Sequence, residues 1–133
     1  MSGWIGVDFD GTLVMYNGWK GPLHIGEPVQ IMVERVKWWI KEGRRVKIFT
    51  ARVSFPPMPT DGNLKSLEYL DWAERKFNAD LAREAIKLWC KRHLDVVLEI
   101  TNEKDFGMIE LWDDRCIQVE MNTGHALGVS KIL

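Results

Sequence analysis

The chain is poor in cysteine, has no long apolar run and carries almost no excess charge. Its two cysteines, Cys90 and Cys116, stand far apart and belong to no close-spaced Cys/His pattern. That argues against a zinc-finger type of site and against a disulfide framework, and it fits free thiols in a reducing, cytoplasmic compartment. Cys90 falls on an apolar helical face and reads as core. No apolar stretch approaches the roughly 20 residues that a membrane-spanning helix needs, so no membrane association is expected. Met1-Ser2-Gly3-Trp4 runs straight into a strand-like segment, so no signal peptide is expected. A net charge of −1 provides no global field for nucleic acid or an anionic surface, although a local basic patch stays open. The three histidines, His24, His93 and His125, are scattered and read as surface or capping residues. There is no internal repeat and no low-complexity segment.

The rest is ordinary globular composition, 46% hydrophobic and 28% charged. A length of 133 residues suits one domain, residues 1–133, able to bury a core without metal or disulfide staples. Seven tryptophans are many for this length and read as packing residues.

The chain is organised around its start. Trp4 to Val7 is a short apolar run that predicts a buried strand, and it ends in Asp8, Phe9, Asp10, Gly11 and Thr12. Side chains alternate along a strand, so Asp8 and Asp10 point the same way while the chain stays extended. Gly11 then lets the backbone turn. Two carboxylates this close repel unless something positive sits between them. A hard divalent cation such as Mg²⁺, with oxygen ligands, suits them. The plain alternative is a strand-end aspartate capping the next turn.

Further along, Asn17-Gly18 predicts a hairpin turn in an arm over about 13–24. Pro28 is placed to open a first helix. Val29, Met32, Val33, Val36, Trp39 and Ile40 give it one apolar face, and Gly43 caps it. Residues 45–52 predict a second strand delivering Thr50 at its end. Prolines 56, 57 and 59 with Gly62 make a loop. Residues 64–93 read as helical, either one kinked helix or two with Asp80 as the second N-cap. Residues 95–101 predict a third strand, 108–112 a fourth ending in Asp113-Asp114, and 116–119 a short fifth. Strands alternating with helices argue for a parallel sheet covered on both faces. Ligands of such sheets bind at the C-terminal strand ends, where Asp8, Asp10, Thr50 and Asp113 all fall.

Asp8-x-Asp10-x-Thr12 after a strand, then Thr50, then Lys104, then Asp113-Asp114, resembles in order the four motifs of the haloacid dehalogenase (HAD) superfamily of phosphohydrolases. The resemblance spans residues 4 to about 119, and the short chain is similar to small capless members from bacteria and phages. It implies a Rossmann-like three-layer α/β sandwich with a central, mainly parallel five-stranded sheet and no full cap domain. It implies a β-hairpin flap over about 13–24, and it leaves an extra stretch, 53–79, beside the catalytic edge. It also implies a Mg²⁺-dependent phosphatase. Asp8 would be the nucleophile that becomes an aspartyl-phosphate, and Asp10 the general acid and base. The metal ligands would be Asp8, the Asp10 carbonyl, Asp113 and Asp114, the last directly or through water. Thr50 and Lys104 would bind the phosphoryl group, with Phe9 and Ala51 at neighbouring phosphate-binding positions. Lys91, Arg92 and Arg115 compete with Lys104 as the cation.

Thr12 and Arg52 are substrate-side candidates, and Arg52 reads equally well as half of a structural ion pair. Phe55, Pro56, Pro57 and Met58 are placed to form a partial lid or a subunit contact. Capless members tend to act on large substrates or to oligomerise; a phosphorylated small molecule (a sugar or nucleotide phosphate) or a nucleic-acid end is the expected substrate, phosphorylated protein stays open, and so does a homo-oligomer. The competing reading is a catalytically idle module of the same fold that binds a protein, or binds nucleic acid through its tryptophans and the lysines of 35–47. A phosphoacceptor receiver domain fits less well, because its paired acids come first in the chain and here they come last.

Overall fold

The computed structural model describes residues 3–60 and 62–128; Met1 and Ser2, on which the signal-peptide expectation falls, lie outside them. The opening apolar run forms β1 (Trp4–Asp8), almost wholly buried until its last residue. Three more strands join it: β2 (Val46–Phe49), β3 (Glu99–Thr101) and β4 (Met108–Trp112). All pairings are parallel and the order is β3-β2-β1-β4, so the expected fifth strand is not part of the sheet. Residues 116–119 leave the sheet after a turn in which Arg115 N–H donates to Asp113 Oδ1 at 2.8 Å. Val119 then makes an isolated antiparallel bridge to Ala126, so this segment pairs with the tail instead.

Two helices follow the first two strands: α1 (Gln30–Lys41) and α2 (Leu67–Leu94). The helix α1 starts after Pro28, which is instead bridged to Val14 at the base of the arm. Its end is as expected, with Gly43 at φ +79 donating to the Ile40 carbonyl. The segment expected to be helical over 64–93 forms one continuous helix that begins at Leu67. Ser66 caps it by accepting from Tyr69 N–H at 3.1 Å, and Asp80 lies mid-helix, ion-paired to Lys76 at 2.9 Å.

Strand order decides how the sheet is covered. The chain moves in one direction from β1 to β2 to β3, and right-handed crossovers then put α1 and α2 on the same face. There Ile5, Val7, Ile48 and Ile100 meet Val33, Val36, Ile86 and Trp89 in one buried cluster. The return from β3 to β4 is only residues 102–107, too short for a helix. That loop, with Trp4 and Lys47, covers the other face. Trp4 is 1% exposed, its Nε1 donates to Asp105 Oδ1 at 2.8 Å, and Lys47 Nζ lies 4.4 Å from its ring centre. Among the described residues the expected three-layer sandwich is therefore a sheet with helices on one side only. The Rossmann-like parallel α/β character holds. Among the described residues no helix is long and apolar enough to cross a membrane.

Candidate active site

Phe9 fixes the end of β1. Its side chain is fully buried and meets Trp89 edge-on at 5.3 Å. The carbonyl of Phe9 then accepts from Leu13 and Val14 N–H at 2.9 and 3.0 Å, folding 9–14 into a tight loop. Gly11, at φ +87, sits on the outside of this loop. A Cβ there would stand 2.5 Å from Asp114 Oδ2, so only glycine lets that acid approach.

The approach brings together acids from opposite ends of the chain. Asp8, Asp113 and Asp114 each offer a carboxylate oxygen, and all three oxygens lie within 4.8 Å of one another. Thr12 ties them. Its Oγ1 is 3.3 Å from Asp8 Oδ2 and 3.4 Å from Asp114 Oδ1, and it accepts from Asp114 N–H at 3.1 Å. Burial pushes the Asp8 carboxyl up from an ordinary 3.8 to about 7, helped by its hydrogen bond with Asp114 and by the charges of Asp113 and Asp114. Such crowding is costly without positive charge. Three converging carboxylates, one partly desolvated, are a hard oxygen donor set that fits Mg²⁺.

The Asp10 carboxylate lies outside this trio. Both its oxygens are held by Arg52, with Nε to Oδ2 at 2.7 Å and Nη2 to Oδ1 at 2.8 Å. The Arg52 side chain is 5% exposed, its Cζ 5.7 Å from the Phe9 ring centre and 5.0 Å from that of Trp19. Thr50 is buried just past β2. Its N–H donates to the Thr101 carbonyl, and its hydroxyl accepts from Arg52 N–H at 3.1 Å, which caps the short turn Ala51–Val53.

A cavity of about 800 Å³ opens over these groups, lined by Asp8, Asp10, Thr50, Ala51, Arg52 and Asp113. Asp114 and Thr12 stand at the trio without lining it, and Phe9 contributes its backbone position while its ring is core. Lys104 does not come to the site. It is exposed on the loop 102–107 and does not line the cavity, because that loop crosses the far face of the sheet. The cations in the cavity wall are Arg52, Arg75 and Arg115. Of the expected lid residues, Phe55 and Pro56 line the cavity and Pro57 and Met58 do not.

Sequence reasoning passes over Tyr16, Trp19, Arg75 and Asn78, which also form the wall. For the first two the signal is the Asn17-Gly18 bend between them, which folds the arm over the site. Arg75 and Asn78 lie three residues apart on one helical face beside the buried Ala79, but both are polar and leave no hydrophobic period.

No protein-family model and no curated protein matches the chain. A solved structure of a conserved protein coded by a locus of Bacteroides thetaiotaomicron is similar in fold, with 24% identity and a TM-score of 0.50, over 87% of this chain and 78% of that one.

Proposed function

We propose that the protein is a phosphomonoesterase of the HAD type that works with Mg²⁺ through a phospho-aspartyl intermediate. What supports it most is one observation: Asp8 meets Asp113 and Asp114, about a hundred residues on, with carboxylate oxygens within 4.8 Å. The order of acids, threonine and paired acids along the chain matches the superfamily's motifs.

Asp8, Asp113 and Asp114, with the Asp10 carbonyl, would hold the metal, whose charge offsets the repulsion between a carboxylate and a phosphate dianion. An Asp8 oxygen attacks phosphorus, a new O–P bond forms, and the ester O–P bond breaks. Asp10 gives its proton to the departing oxygen and later takes one from water, whose oxygen bonds to phosphorus as the Asp8 O–P bond breaks, releasing phosphate and restoring the Asp8 carboxylate. In the resting arrangement Arg52 grips both Asp10 oxygens, so one must be released before Asp10 can carry that proton. Arg52 is placed to make the exchange, because it lines the cavity beside Asp10 and can turn toward the incoming phosphoryl oxygens. Thr12 keeps Asp8 and Asp114 in register, and Thr50 lines the same cavity with a hydroxyl that, while accepting from Arg52 N–H, still has its own proton to donate. Arg75 and Arg115, in the cavity wall, supply the positive charge expected of Lys104, which lies outside it.

The competing nucleic-acid module needs a bare basic stripe over 35–47. The structure instead commits most of its cations. Arg35 lies 4.9 Å over Trp112, Arg44 pairs with Glu110 at 3.6 Å, Arg45 pairs with Glu99 at 2.7 Å, and Lys47 is buried beside Trp4.

An aryl phosphate assay tests the proposal. With Mg²⁺ the wild-type chain turns over the ester, and Asp8→Asn loses at least about a thousandfold in kcat, the scale expected when a nucleophile is removed. Sustained turnover in the Asn variant would remove Asp8 from the role.

A further inference from the structure

The cavity has an aromatic side that phosphoryl transfer leaves unused. Tyr16 and Trp19 come from the arm before α1, and Phe55 comes from the segment before α2; all three line the cavity. They remain 40%, 56% and 43% exposed. Large rings left half open on two separate segments that line one charged cavity suit a flat apolar group held among them. Arg52 joins the two halves. It holds Asp10 through two hydrogen bonds and lies 5.0 Å from the Trp19 ring centre, so one guanidinium separates the catalytic acid from the aromatic wall. Arg75 and Arg115 add positive charge to the same wall.

A sugar phosphate would satisfy the arginines and leave the rings uncovered. A phosphorylated serine or threonine would do the same. A cavity of about 800 Å³ lies within the usual range for small-molecule sites. The geometry points to a nucleoside monophosphate as substrate, either free or as the terminal nucleotide of a strand. Its phosphate sits at Asp8 and the arginines, and its base stacks on Trp19 or Phe55. This substrate class rests on the phosphatase proposal above.

The test compares kcat/KM with Mg²⁺ for adenosine 5′-monophosphate, a 5′-phosphorylated oligonucleotide, ribose 5-phosphate and an aryl phosphate. Base stacking is worth about 1–3 kcal/mol per base, so a nucleotide should exceed ribose 5-phosphate by about tenfold or more. Trp19→Ala or Phe55→Ala should cut that ratio by about fivefold or more, and Trp19→Phe should restore most of it. Whichever of the mononucleotide and the oligonucleotide is preferred assigns the source. If ribose 5-phosphate is turned over as well as the nucleotides, the substrate class is overturned while the phosphatase proposal stands. If even the aryl phosphate is untouched, the phosphatase proposal falls, and calorimetric binding to the wild-type chain decides the remainder. Nucleotide binding about tenfold tighter than ribose 5-phosphate sustains an aromatic nucleotide site; equal binding, or none, overturns it.

Discussion

Gly11 shows how much of the site hangs on single atoms. Its missing Cβ is the space into which the Asp114 carboxylate reaches. Gly11→Ala places a methyl there and also strains a backbone at φ +87, a conformation that costs an L-residue about 1–2 kcal/mol. We expect the variant to fold, by circular dichroism, and to bind Mg²⁺ about tenfold more weakly by calorimetric titration. Asp8 gives a second prediction, in pH. Its carboxyl is raised in the folded chain, from 3.8 to about 7, chiefly by burial. A raised carboxyl favours folding while it is protonated. The stability it contributes is full below about pH 3.8 and is lost as pH rises through about 7. Without divalent metal, the melting temperature of wild type minus that of Asp8→Asn should therefore fall between pH 4 and pH 8. Added Mg²⁺ should recover the loss at pH 8 and do little at pH 4, because a cation favours the charged form. A flat difference would contradict the crowding of Asp8. The acids were legible in the sequence because each ends a strand or opens the turn after one. Lys104 was not, since its place depends on which face its loop crosses. Arg52 was legible only as a choice between phosphate contact and ion pair; the structure shows the pair.

At the scale of elements, α2 is the main departure from periodicity. Asp80 has the chemistry of an N-cap, yet helix continues through it. Ala79, Ala82 and Ile86 carry a buried stripe onward, and the i,i+4 pairs Asp71–Arg75 and Lys76–Asp80 support the exposed side. Local signals compete, and neither glycine nor proline breaks the run. Two substitutions separate the alternatives. Asp80→Ala should cost no more than about 0.5 kcal/mol in denaturant unfolding, as for a mid-helix pair, whereas loss of a true N-cap costs about 1 kcal/mol. Ile86→Ala, fully buried against the sheet, should cost about 2–5 kcal/mol. The missing fifth strand has a similar origin. Residues 116–119 have a strand-like composition, but the turn at Asp113 sends them away from the sheet edge, and their partner is the tail. The β3 strand is also shorter than its apolar run. Asp95 adopts a left-handed φ of 63 as the cap of α2, and pairing begins only at Glu99.

For the whole molecule, the parallel sheet, with Asp8, Asp10, Thr50 and Asp113 gathered along one edge, followed from alternating strand and helix patterns. Strand order did not, because nothing local says on which side of β1 a late strand will pair. That order has two consequences. It leaves one face to Trp4, Lys47 and a loop, which accounts for one of the many tryptophans and removes the third layer. It also seats β4 directly beside β1, with Trp112 opposite Val7, and so delivers Asp113 and Asp114 to Asp8. The site is thus a product of topology, with a metal expected to link the two ends of the chain. Titration of the full chain with Mg²⁺ by calorimetry tests this most directly. We predict a single saturable site, weakened at least about tenfold by Asp113→Asn and by Asp8→Asn alike. Absence of saturable binding, or binding that Asp113→Asn leaves unchanged, would contradict it.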